Sequence, residues 1–215
     1  MALARRFPAA RVVAVDRSPV LRERLLVTVA VQGAADRVDA VTGDLDAALP
    51  PVGPVDVAWA SSSLHEVADP DRLLREVRAA LRPGGVLAVV DLDGLPQVLP
   101  DGLEREHPGL AARCAGALAA AGWNPVPDWA PRLTAAGLEV VERRREELVS
   151  EPTETARRYA DALTRAMRRG LEGRLPPEDL AALDRLLDPA SPDALLHRAD
   201  LRVTSRRTVW SARRP

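Results

Sequence analysis

No lysine occurs among the 215 residues, and all thirty basic positions are arginine. A lysine nucleophile or Schiff base is thereby excluded. Cys114 is the single cysteine, so no intramolecular disulfide can form and a reducing interior is expected. That cysteine and three scattered histidines, His65, His107 and His197, offer no zinc spacing and no other metal-ligand cluster. Aromatic side chains make up only 3% of the chain, which leaves any pocket to be walled mostly by aliphatic groups. No hydrophobic run approaches the length needed to cross a bilayer. The apolar run that follows Arg5 and Arg6 is broken by Arg11 and ended by Asp16, too short for an export signal. A formal charge of −1 gives no bias toward nucleic acid or anionic membrane. The expectation is a cytoplasmic protein with no nucleic-acid or membrane partner.

What is present alternates in type. "RVVAV" (11–15) is a short β-branched apolar run, as a strand buried on both faces requires. Ser18-Pro19 then supplies a helix N-cap followed by proline at the first helical position, with Leu21, Leu25 and Val29 recurring at helical spacing. Further strands are predicted over 36–44, 55–60 and 86–91, with a helix opening at Asp69-Pro70 whose Leu73, Leu74, Val77 and Leu81 share one face. This order predicts parallel βαβ units. Beyond residue 94 the pattern changes. Pro and Gly are frequent to residue 127, around an Ala-rich helix near 109–121. A strand follows over 138–148, then a helical stretch over 151–197, then a closing strand over 201–214.

Four segments in this order resemble the class I S-adenosylmethionine-dependent methyltransferases, in the branch that modifies small molecules. They are "VVAVDRSP" (12–19), "DRVDAVTGDL" (36–45), "VDVAWASSSLHEVADPDRLLREVRAALRPGGVLAVVD" (55–91) and "RLTAAGLEVVE" (132–142). The unit "LREVRAALRPGGVL" is the most specific of them. The resemblance implies an α/β, Rossmann-like, mostly parallel sheet flanked by helices, with S-adenosylmethionine as cofactor and a small molecule as acceptor. It divides the chain into a core over 1–150, a helical lid over 151–197 and a closing strand over 198–215. Oligomeric state is not legible.

The resemblance also assigns residues. Asp16, with its neighbour Arg17, would meet the ribose, because a carboxylate at the end of the second family strand can accept both hydroxyl hydrogen bonds. Gly43, Asp44 and Leu45 would face the adenine, Asp44 taking the amino group and the Leu45 backbone a ring nitrogen. Ser61 and Ser62 would wall the methionine end. Where methyltransferases of DNA bases carry an Asn- or Asp-Pro-Pro-aromatic stretch, this chain has serines, which argues against a base in DNA as substrate. His65 is the candidate general base, since imidazoles change charge near neutrality. Glu66, adjacent in sequence, is expected to point elsewhere. Asp91 and Asp93 are expected to cap or turn, Trp123, Trp129 and Trp210 to pack helices on the sheet, and the Arg157–Arg169 cluster to be a solvated helix face.

The family's first strand and its glycine-rich loop have no counterpart here: "MALARRFP" resembles the end of the helix that follows that loop. In the family's strand order that first strand is central, so its loss would leave two edges of unpaired backbone. A start upstream of Met1 is the expected explanation. Two other readings stay open: a degenerate domain that binds a partner without catalysis, and a nicotinamide oxidoreductase, which Asp16 would also suit.

Overall fold

A computed structural model describes residues 2–100, 102–123 and 128–215. Residues 124–127 of the "NPVPD" segment lie outside the described residues. The chain divides into two compact units: Met1–Val89, Asp128–Arg143 and Trp210–Pro215 form one, and Val90–Pro127 with Arg144–Val209 form the other. The segment 151–197 falls within the second unit, together with 90–127.

The elements in order are α1 (Ala2–Arg6), β1 (Val12–Asp16), α2 (Pro19–Val31), β2 (Val38–Thr42), β3 (Val55–Ser61), α3 (Pro70–Ala80), β4 (Leu81–Leu92), α4 (Leu103–Glu106), α5 (Leu110–Ala120), α6 (Trp129–Ala135), β5 (Glu139–Val149), α7 (Glu154–Gly170), α8 (Pro177–Leu187) and β6 (Thr204–Arg213). Short 3₁₀ turns occupy Leu64–Glu66 and Leu195–His197. The stretch expected to be helical over 151–197 is therefore two helices and a turn, because Gly173 (φ +67°) stops the first and Pro177 starts the second.

Local sequence sets the helix starts. Ser18 Oγ accepts the Leu21 N–H at 3.3 Å and Asp69 Oδ1 accepts the Arg72 N–H at 2.9 Å, each followed by proline. Asp128 and Thr153 cap α6 and α7 in the same way.

The strands fall into two sheets. β1 and β2 form a parallel pair in which Val12 faces Val38 and Asp16 faces Thr42. The other four lie in the order β3-β4-β6-β5. β3 and β4 begin side by side, with Arg82 reaching Asp56 at 2.8 Å, as a parallel pair joined by a helix requires. β6 runs antiparallel to β4, since Gly84 and Arg214 bond reciprocally through Gly85 at one end while Asp93 meets Arg206 at the other. Those bonds also explain why β4 starts at Leu81 rather than 86. The Arg82–Gly85 turn, with Gly84 at φ +78°, is itself held against the end of β6. β6 is antiparallel to β5 as well: Arg213 pairs with Glu139, and Ser150 N–H donates to Val203 O.

Among the described residues no strand pairs with both β1 and β3. Large apolar side chains stand exposed on these strands: Val13 at 39%, Val57 at 49% and Trp59 at 53%. The first unit holds two apolar clusters. The larger gathers Leu64, Leu73, Leu74, Leu87, Trp129 and Trp210, with the indole N–H of Trp210 donating to Asp128. The smaller contains only Ala4, Val29, Ala34 and Val38 as buried members. The second unit has a core of its own built on Cys114, Leu118, Leu171, Leu183 and Leu195.

Candidate functional site

The strand register places the candidate adenosine residues on one sheet edge. Asp16 closes β1 and Thr42, its partner, closes β2; the Gly43 N–H then donates to Asp16 O at 3.4 Å. Gly43, buried, has no space for a side chain, since a Cβ there would lie 2.3 Å from the Pro50 ring and 2.7 Å from Val15. The carboxylates of Asp16 and Asp44 both turn their own loops. Asp16 Oδ1 accepts the Ser18 N–H at 2.7 Å, and Asp44 Oδ1 accepts the Asp46 N–H at 3.1 Å. Each keeps its second oxygen without a protein partner among the described residues. Arg17, largely exposed, stands 3.9 Å from Asp46.

The loop after β2 is tied to the segment after β3. Asp46 Oδ1 accepts the Ala68 N–H at 2.8 Å. Arg72 Nη2 donates to the Leu45 carbonyl at 2.5 Å, and its other arm grips Glu76 at 2.8 Å. Glu76 in turn accepts the Leu49 N–H at 2.8 Å. The Arg72 hydrogen bond, aided by the Leu49 amide, holds the Glu76 carboxyl below its usual range against the opposing effect of desolvation. Thus the ends of β1 and β2 and the start of α3 are joined by named bonds within one unit. Of these residues, Asp46, Arg72 and Glu76 escaped the sequence reading. The Arg72–Glu76 spacing is a visible i, i+4 ion pair, but their backbone partners lie 27 residues away.

At the tip of β3, Ser61 is exposed and Ser62 adopts φ +49°. A left-handed backbone at a residue other than glycine is strained, and such strain concentrates at binding and catalytic sites. The Ser62 hydroxyl is also buried without a hydrogen-bond partner. His65 sits in the following 3₁₀ turn, its side chain 19% exposed, with Nε2 at 3.1 Å from Glu66 Oε1. This corrects the expectation that Glu66 points away: its side chain is well exposed and long enough to swing back across the tight turn.

Two expectations change in the second unit. Asp93 pairs with Arg145 at 2.9 Å in place of a cap. Trp123 lies against Gly170 and also walls a cavity, whereas Trp129 and Trp210 are fully buried packing residues. In the arginine cluster, Arg158 pairs with Glu154, Arg165 with Asp161, and Arg168 with Asp184 and Glu172. That pattern is a helix face of ion pairs. No metal-holding group of His, Cys, Asp or Glu occurs among the described residues, and no described helix is long and apolar enough to cross a membrane.

The donor set suits an adenosine moiety. Two carboxylates with spare acceptor capacity lie on the edge where open α/β sheets bind ligands, beside a loop that tolerates no side chain at Gly43.

Comparison with known proteins points the same way. Residues 1–87 match a family described as a methyltransferase domain. Over 129 residues the chain is 37% identical to a trans-aconitate 2-methyltransferase of an Azoarcus species, an alignment covering 58% of this chain and 46% of that protein. The chain thus spans about half the length of that curated relative. Among solved structures, a methyltransferase from Bacillus halodurans superposes with a TM-score of 0.56 at 15% identity, over 100% of this chain and 86% of the other. The [4+2]-cyclase SpnF superposes with a TM-score of 0.55 at 24% identity, over 100% and 70%. The fold is that of the Rossmann-like methyltransferases.

Proposed function

We propose that this chain is a class I S-adenosylmethionine-dependent methyltransferase that transfers a methyl group from S-adenosylmethionine to a small-molecule acceptor, a reading supported by the matched methyltransferase domain, the 37% identical relative and the shared fold. The observation that supports this reading is the strand pairing that sets Asp16 at the end of β1 beside Gly43 after β2, with the loop that follows tied to the segment after β3 through Asp46–Ala68 and Arg72–Leu45. Asp16 would accept the ribose hydroxyls through its spare lone pairs. Asp44 would accept the adenine amino group and the Leu45 N–H would donate to a ring nitrogen. Arg17 would flank the ribose, and Ser61 and Ser62 the methionine end. When bound, the cofactor supplies a methyl group already activated on a sulfonium. The protein's own share is then alignment of the acceptor. His65, its ring oriented by Glu66, would receive the acceptor's proton. Trans-aconitate belongs to the relative's name, and it is not carried over to this chain.

The reading includes a further strand between β1 and β3, bearing the glycine-rich loop. Its support is the separation of the two sheets and the exposed Val13, Val57 and Trp59 beside the gap in strand order. A strand seated there would satisfy two rows of backbone groups at once.

Calorimetry with S-adenosylhomocysteine tests the reading, on this chain and on the product of any longer reading frame. The expected result is tighter binding by the longer product, weakened about tenfold or more by Asp16→Ala and by Asp44→Ala. Binding of a nicotinamide dinucleotide in preference, or affinity indifferent to both substitutions, would overturn it. S-adenosylhomocysteine uptake without methyl transfer to any acceptor would favour the non-catalytic reading.

A further inference from the structure

The second unit carries an open cavity of about 830 Å³, within the size range of small-molecule sites. One wall is the segment that leaves the end of β4, with Leu95 and Leu99; another is α5; Trp123 and Met167 complete it. Helix α5 explains why the space stays open. Its sequence "LAARCAGALAA" is apolar on nearly every side. Leu110, Cys114 and Leu118 enter the core, while Ala111, Ala115 and Ala119 face the cavity and remain exposed. A helix that is apolar all round is normally covered all round. Here one face has nothing larger than a methyl group to fill the space beside it.

Charge then decides what fits. Among the described residues three charged side chains touch the cavity, and each is already engaged within the same unit. Asp93 pairs with Arg145 at 2.9 Å, Arg206 with Glu147 at 3.0 Å, and Glu104 accepts the Gly109 N–H at 2.5 Å. Two carboxylates against one neutralised guanidinium make a poor seat for an anion, whose desolvation no unpaired cation would offset. The arginines of α7 lie elsewhere and are largely spent on carboxylates.

We propose that this cavity binds a neutral, largely apolar small molecule, and that this molecule is the class of acceptor the enzyme methylates. The assignment of acceptor rests on the methyltransferase reading above; the binding of a neutral apolar molecule does not.

The test uses the whole chain and the neutral dye N-phenyl-1-naphthylamine, whose emission rises in apolar surroundings and which accepts energy from tryptophan. The expected result is saturable binding of one equivalent, displaced by 1-decanol and not by citrate. Trp123→Phe should cut the tryptophan-sensitised emission at saturating dye. Ala115→Trp, which fills the space from an exposed helix position, should weaken the dye at least about tenfold with unchanged circular dichroism. Ala111→Asp, which brings an unpaired charge to the same wall, should do the same. Unsaturable dye uptake, displacement by citrate, or undiminished affinity in both filled variants would overturn the proposal. S-adenosylhomocysteine calorimetry on the same samples and on the product of any longer reading frame separates the two readings: dye binding with no cofactor binding by either product sinks the enzyme reading alone, and cofactor binding without dye binding sinks the cavity reading alone. With both in place, methyl label should pass to neutral phenols or alcohols. Label passing only to carboxylic acids contradicts the acceptor class.

Discussion

Two parts of the first unit are built very differently. Among the described residues, the segment from α1 to β2 buries only Ala4, Val29, Ala34 and Val38, and leaves Val20, Leu21, Leu26, Val27 and Val31 exposed on α2. The part built on β3, α3, β4 and α6 buries a dozen residues, including two tryptophans at 1% exposure. Two-stranded sheets are marginal alone, and an apolar helix face without a cover gains little from burial. Yet the weak part carries Asp16 and leads directly into Gly43 and Asp44, three of the residues proposed to meet the cofactor. The contrast teaches that the loop after β2 leans on its neighbour, through Asp46, Arg72 and Glu76, more than on a core of its own.

That contrast can be broken by mutation. The largest expected effect is Leu74→Ala, which empties a site with no exposed surface and should cost about 3 kcal/mol in urea unfolding. Val29→Ala, equally buried in the smaller cluster, should cost only about 1.6 kcal/mol from two lost methylene equivalents. Equal costs would show that the two clusters act as one. Glu76→Ala should come next. Losing the acceptor of the Leu49 amide should cost about 1 kcal/mol and speed hydrogen exchange at Leu49 before the β4 amides respond.

Acid should weaken both units through named carboxylates. Glu76 is held low by Arg72, and Asp179 by the two-pronged hydrogen bond from Arg113. A depressed folded value means that each contribution is whole above the unfolded carboxylate range near about 4 and is lost as pH falls through the folded value. Asp179→Asn should therefore lower the stability of the second unit at neutral pH and flatten its loss in acid, as followed by circular dichroism from pH 7 to 2. An unchanged acid limb would remove Asp179 from the account. The smallest effects are expected on the surface and in the thiol. Val27→Thr should change stability by less than about 0.5 kcal/mol. Cys114, whose burial pushes its thiol up to about 11, should resist thiol reagents until the chain unfolds.

The sequence made much of this legible where local rules suffice. Ser18-Pro19 and Asp69-Pro70 announced two helices, and the apolar runs at 11–15 and 55–60 announced two strands, because caps and short β-branched runs act within a few residues. Asp16 was readable as a candidate because it ends a strand, and Asp44 because "DRVDAVTGDL" resembles the family's segment. The bonds from Arg72 to Leu45 and from Ala68 to Asp46 were not, since they join segments whose approach only the folded chain defines. The strain at Ser62 was equally hidden, because nothing in "ASSSLHEV" demands a positive φ. The cavity escaped for a different reason: an alanine-rich helix reads the same whether its small face is packed or open.

The most direct test is an amide ¹H–¹⁵N spectrum of this chain titrated with S-adenosylhomocysteine, a method that detects even weak occupancy. The account predicts that shifts concentrate at Asp16, Arg17, Gly43, Asp44, Leu45, Ser61 and Ser62 and vanish with Asp16→Ala. Shifts confined to other residues, or none at saturating ligand while a nicotinamide dinucleotide perturbs the same amides, would contradict it.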